Sequence, residues 1–143
     1  MKNCAKFYIE ASNNWFAVAK SSKKDGEVNV LNPFYYLVVH AVELRLKAFL
    51  LSCGDTEDEI RKLGHEIDSL LERSKEYDLI IENVYKDFLD NLYSINKKHF
   101  LRYYNHGATV NSPVHFVLPE TVIVYVQRIF KQIDDLLSNR EKR

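Results

Sequence analysis

The stretch "NPFYYLVVHAVELRLKAFLLSCG", residues 32–54, constrains the fold more than any other. Phe34, Leu37, Val38, Ala41, Val42, Leu44, Leu46, Ala48, Phe49, Leu50 and Leu51 point in almost every direction when placed at 100° per residue. A helix that is apolar nearly all round has no face to give to water, so other elements must surround it. Its limits are punctuated. Asn32 is a suitable N-cap and Pro33 suits the first helical position, where its missing N–H costs nothing. The helix should run to about Ser52, with Gly54 as its stop. At 23 residues including polar punctuation, and with Glu43, Arg45 and Lys47 inside, it does not read as a membrane span.

The flanking segments supply the wrapping. Residues 3–20 read as a helix with Phe7, Ala11, Asn14, Trp15 and Val18 on one face. The polar stretch 20–32, broken by Gly26, reads as a flexible loop. Asp55 or Thr56 caps a third helix that includes "IRKLGHEIDSLLERS", with Ile60, Leu63, Ile67, Leu70 and Leu71 as its stripe. Gly64 inside it costs about 1 kcal/mol relative to Ala and points to close packing or a local break. A fourth helix begins near Asp78, carries Ile81, Val84, Tyr85, Phe88, Leu92 and Ile95, and ends between His99 and Tyr104. Residues 105–119 read as a loop, Pro119 opens a last amphipathic helix, and 138–143 reads as a polar tail. Only four Gly and three Pro occur in 143 residues, which suits long elements and few turns. The expected fold class is all-α: one domain over 1–143, an antiparallel up-and-down bundle of four or five helices.

The totals exclude several classes of function. Lys plus Arg equals Asp plus Glu at 20 each, so no global basic field draws in nucleic acid, and any basic patch has to be local. Cys4 and Cys53 are far apart and lack CxxC spacing, so neither a disulfide framework nor a zinc site is expected. The first residues lack the apolar core of a signal peptide, and the expected compartment is the cytoplasm. No Gly-rich phosphate loop, HExxH or serine nucleophile motif is present, so no metal or cofactor is expected.

Two clusters could carry chemistry. Tyr36, His40, Glu43 and Lys47 fall within about 60° of one another on the most apolar helix, with Arg45 on the opposite side. Unpaired burial would cost several kcal/mol each, so these groups must pair, line a cavity or face another chain. Pairing is natural, because Glu43 precedes Lys47 at the favourable i,i+4 spacing. The cavity alternative adds His65 from the next helix, since perturbed groups gather at sites. The second cluster is His99, Arg102 and His106 at i, i+3 and i+7, flanked by Lys97, Lys98, Tyr103 and Tyr104. Cations there would complement a helix C-terminus. Equally, imidazoles can act as acid and base, and an Arg can hold a phosphate and the charge that develops on it. Cleavage of RNA through its own 2′-hydroxyl needs those two functions and no metal.

In order and spacing, His40-Ala41-x-Glu43-x-x-Leu46-Lys47-Ala48, then Gly64-His65, then Arg102-Tyr103 resemble the HEPN superfamily, whose name stands for higher eukaryotes and prokaryotes nucleotide-binding. The resemblance spans nearly the whole chain. It implies a four- or five-helix up-and-down bundle that forms a homodimer. Many members are metal-independent ribonucleases of toxin–antitoxin, abortive-infection and CRISPR defence systems. Others bind nucleotides or act beside a small nucleotidyltransferase. In the ribonuclease members four to six residues separate Arg from His, whereas Arg102 and His106 here have three between them. The first expectation is therefore a binding module for a nucleotide, an RNA phosphate or a partner protein such as an antitoxin or nucleotidyltransferase. Its binding residues would be Tyr36, His40, Glu43, Lys47, His65 and Tyr103. A ribonuclease using Arg102, His106 and His99 stands second, and a purely structural or interaction protein third.

Overall fold

The computed structural model describes residues 3–23, 33–97 and 117–142, and those residues form six α-helices and no strand. They are α1 (Asn3–Ser22), α2 (Phe34–Cys53), α3 (Glu57–Leu63), α4 (Ile67–Lys75), α5 (Asn83–Lys97) and α6 (Pro119–Glu141). The expected all-α class holds. Six helices replace the expected four or five because the third divides in two. Among the described residues no helix is long and apolar enough to cross a membrane.

The apolar-all-round α2 is the hub. Fifteen of its twenty residues are buried, including Phe34, Tyr35, Leu46, Phe49 and Leu50. Pro33 sits just before it with φ −65°, and the Pro33 carbonyl accepts the first helical bond from Leu37 at 3.0 Å. Asn32 lies outside the described residues. Gly54 ends the helix at φ +121°, a conformation that L side chains rarely adopt, and its N–H turns back to the Leu50 and Leu51 carbonyls.

Contacts fix the helix directions. Trp15 meets His40, Ser12 donates to the Ala41 carbonyl at 2.8 Å, and Asn13 accepts from Arg45, so α1 runs antiparallel to α2. Tyr35 donates to the Val117 carbonyl at 2.7 Å and Arg45 pairs with Asp134, so α6 runs alongside α2 in the same sense. On α5, Tyr85 pairs with Arg128 and Phe88 with Tyr125, which sets α5 antiparallel to α6.

The inward face of α1 differs from the one expected. Ala5, Ser12, Phe16 and Ala19 are buried, whereas Phe7 is 68 %, Trp15 38 % and Val18 53 % exposed. Small residues let α1 lie close on α2, close enough for the Ser12 hydroxyl to reach a backbone carbonyl of its neighbour. The single long third helix is also corrected. Gly64 adopts φ +73°, ψ −144° and breaks the run into α3 and α4. A Cβ at Gly64 would meet nothing within 4 Å, so the glycine is there for its conformation and not for packing. Thr56 caps α3 in a reciprocal box: Glu59 N–H donates to Thr56 Oγ1 (3.2 Å), and Thr56 N–H donates to Glu59 Oε2 (2.7 Å).

The next helix starts at Asn83 and not near Asp78. Asp78 has φ +71°, and the following segment is held against α6, where Gln132 donates to the Ile80 carbonyl at 2.6 Å and Leu79 is buried. The expected polar tail from residue 138 is helical through Glu141, because Arg140 is tethered by a 3.2 Å bond to the Tyr77 carbonyl. The expected loops overlap undescribed residues, 24–32 and 98–116, apart from their ends.

Candidate functional site

The polar stripe of α2 divides between two surroundings. Its C-terminal half meets the α3–α4 junction. Glu43 and Lys47 are buried, 6 % and 8 % exposed, and Lys47 Nζ donates to Glu43 Oε1 at 2.7 Å. The break at Gly64 swings His65 out of helical register and onto the same oxygen, where Nδ1 lies 2.6 Å from Glu43 Oε1. A carboxylate that already accepts from an ammonium can only accept again, so the imidazole presents Nδ1–H to it. This leaves Nε2 on the outer side of a ring whose side chain is 84 % exposed.

These groups border a pocket of about 140 Å³ lined by Tyr8, Lys47, Glu57, Ile60, Arg61, Gly64 and His65. Lys47, Arg61 and His65 share this lining with one acid, Glu57. Arg61 is held at the rim by Asp58 at 3.2 Å. Tyr93 stands on α5. Burial, and then the Glu66 and Asp68 carboxylates, push its hydroxyl above the ordinary tyrosine range.

The N-terminal half of the stripe joins α1 instead. The Trp15 indole meets His40 edge-on, with ring centres 4.8 Å apart and planes at 90°. Tyr36 lies parallel to His40 at 6.4 Å and 4°. So the pocket takes in Lys47 and His65, both bonded to Glu43, while Tyr36 and His40 belong to an aromatic cluster farther along α2. His99, Arg102, Tyr103 and His106 lie outside the described residues.

Other charged groups escaped the sequence reading. Arg45 is buried over the Phe130 ring, 4.3 Å to its centre, and pairs with Asp134 at 3.4 Å. Burial pulls the guanidinium below its usual range, with Asp134 opposing, and burial pushes Asp134 up while Arg45 opposes that. The partner is 89 positions away, so nothing in the local pattern announced it. Asp55, considered above only as a cap, is fully buried and bound by Arg73 through Nε (2.9 Å) and Nη2 (2.6 Å), with the Tyr77 hydroxyl donating as well. The Arg73 hydrogen bond outweighs burial and holds Asp55 below the usual carboxylate range. Nearby, burial pushes the Cys53 thiol up to about 11, which makes it a poor nucleophile at neutral pH. Among the described residues no three His, Cys, Asp or Glu side chains converge as a metal site would require.

Compared with known proteins, the chain matches no family model, no curated protein and no solved structure.

Proposed function

We propose that this chain is a HEPN-like antiparallel helical bundle that works as a homodimeric binding module, and that the pocket beside Lys47 and His65 takes the phosphate group of a nucleotide or RNA. One observation carries the reading: Glu43 holds Lys47 and His65 on a single oxygen, and those two side chains line a solvent-open pocket together with Arg61. The Glu43–Lys47 pair is buried at both ends, and its third member, the exposed His65, is what opens the group to solvent. Here the carboxylate orients the Lys47 ammonium, which keeps further N–H groups beside the pocket, and fixes the His65 ring, whose Nε2 donates only when the imidazole is protonated. Preorganised donors lose little freedom on binding an anion, and charge-assisted bonds to phosphate are among the stronger ones. Arg61 adds a planar fork suited to phosphate oxygens. The resemblance extends the proposal to a defence or toxin–antitoxin setting, beside an antitoxin or a small nucleotidyltransferase.

Thermal melting in the presence of pyrophosphate tests the reading. A ligand that binds only the folded state at a hundredfold above its Kd adds about 2.7 kcal/mol, a shift of several degrees for a domain of this size. The expected result is a shift for the native chain that is lost in Lys47→Met and reduced in His65→Ala. An unshifted melting curve for well-folded native protein would refute the phosphate pocket.

A further inference from the structure

We infer that the cavity at Arg45, where α1, α2 and α6 meet, binds a free α-amino acid with an apolar side chain, its carboxylate on the Arg45 guanidinium and its ammonium on the Asp134 carboxylate. The site is distinct from the pocket beside Lys47 and does not rest on it, since the two cavities share no lining residue.

Arg45 is a costly residue to place in a core. Its side chain is 6 % exposed, and its Nε is buried with no hydrogen-bond partner. Nη2 donates to Asn13 at 2.5 Å, but Nη1 approaches Asp134 only to 3.4 Å. Charge-assisted bonds normally close to about 2.7–2.9 Å. Burial outweighs the pairing on both partners, pulling the guanidinium down and pushing the carboxyl up. An apolar residue of similar volume would serve the core as well or better than a buried charge satisfied so loosely. Local rules broken at such a cost are characteristic of functional sites.

A cavity of about 280 Å³ lies against this group, bordered by Ile9 and Asn13 of α1, Arg45 of α2, and Asp134, Leu137 and Glu141 among the α6 residues. It falls just under the range of roughly 300–1,000 Å³ that takes drug-sized ligands, so its occupant is small. The guanidinium is set in place, lying over the Phe130 ring at 4.3 Å and bonded to Asn13.

The charges select the ligand. A multiply charged anion would meet two carboxylates, Asp134 and Glu141, beside a single guanidinium. A simple amine would meet the guanidinium. Because Arg45 and Asp134 stand side by side, the complement is a molecule with both signs on neighbouring groups. A free α-amino acid carries its carboxylate and ammonium on one carbon, whereas either end of a polypeptide carries only one of them. Ile9 and Leu137 add apolar wall suited to an aliphatic side chain.

Isothermal titration of the native protein with L-leucine, L-valine and L-methionine tests the site. Saturable one-site binding of at least one of them is expected, with no competition from pyrophosphate. The amide of the tightest binder lacks the carboxylate and its N-acetyl form lacks the ammonium; each should bind about tenfold or more weakly. Arg45→Met should abolish binding while melting at the same or a higher temperature. Asp134→Asn should weaken the free amino acid without weakening the N-acetyl form. Equal affinity of native protein for the free and N-acetylated forms would reduce the cavity to a plain anion site and overturn the inference. So would competition by pyrophosphate, unchanged binding in Arg45→Met, or no saturable binding of any of the three to folded native protein.

Discussion

Two buried carboxylates, Asp55 and Glu43, sit at different levels of the same hub and are treated in opposite ways. Asp55 follows the end of α2 and is saturated: both oxygens receive Arg73, and Tyr77 donates to one of them. The network reaches on to α6, where Arg140 lies over the Tyr77 ring and donates to the Tyr77 carbonyl. It pins the α2–α3 turn to α4 and to the end of α6, and Asp55 and Arg73 also border a pocket of about 250 Å³, with Arg73 one-third exposed. Glu43 also has two cationic or N–H partners, but one of them, His65, is almost fully exposed, and the group opens on a pocket. A closed bidentate pair is what a fold uses to fix its elements. A carboxylate that holds donors toward solvent is what a binding site uses to aim them. The same residue types therefore carry different meanings, and what separates them is that Asp55 has both oxygens bonded whereas Lys47 and His65 share one oxygen of Glu43.

Substitutions can break or sharpen that contrast. The largest effect should come from Asp55→Ala, which frees three donors at once; equilibrium unfolding in urea should show a loss of about 3 kcal/mol, with pyrophosphate affinity unchanged. Glu43→Ala comes next. It leaves Lys47 buried without its counter-charge and should cost about 2 kcal/mol while also abolishing the pyrophosphate-induced melting shift. A variant that lost stability without losing binding would place Glu43 in the same class as Asp55. Gly64→Ala should cost about 1–2 kcal/mol, since φ +73°, ψ −144° suits glycine, and should weaken binding by moving His65. His65→Ala should be the mildest for stability, within about 0.5 kcal/mol because the ring is exposed, yet should weaken pyrophosphate binding several-fold.

Acid titration separates the two regions again. The Asp55 carboxyl is held below its unfolded value, near 3.9. The unfolded chain therefore takes up that proton first as pH falls. The contribution of Asp55 is fully present above the ordinary carboxylate range and is lost as pH drops through the lower, folded value. Unfolding followed from pH 6 to pH 2 should show a steeper loss for the native chain than for Asp55→Asn.

The sequence disclosed most where physics is local. The apolar circumference of α2, Pro33 before it and Gly54 after it marked the hub, and Pro119 marked the start of α6. The i,i+4 pair of Glu43 and Lys47, with His65 beside it, was legible for the same reason. The break at Gly64 was harder, because Ile60 and Ile67 stay in phase seven residues apart whether or not the helix is continuous. Its glycine was the only sign. The inward face of α1 was misjudged because size was weighed over fit: Phe7, Trp15 and Val18 are larger, but Ala5, Ser12 and Ala19 allow the close approach. The Arg45–Asp134 and Asp55–Arg73 pairs join different helices, and hydrophobic periodicity says nothing about which helices meet. Arg102, His106 and His99 fall outside the described residues.

The central claim is that the Glu43–Lys47–His65 group aims donors at an anion and does not merely brace the core. Isothermal titration of pyrophosphate into native protein and into Lys47→Met tests it most directly. The account predicts saturable one-site binding to the native chain and a loss of at least tenfold in Lys47→Met, with both proteins folded by circular dichroism. Equal affinity in the two proteins, or no heat of binding to either, would contradict it.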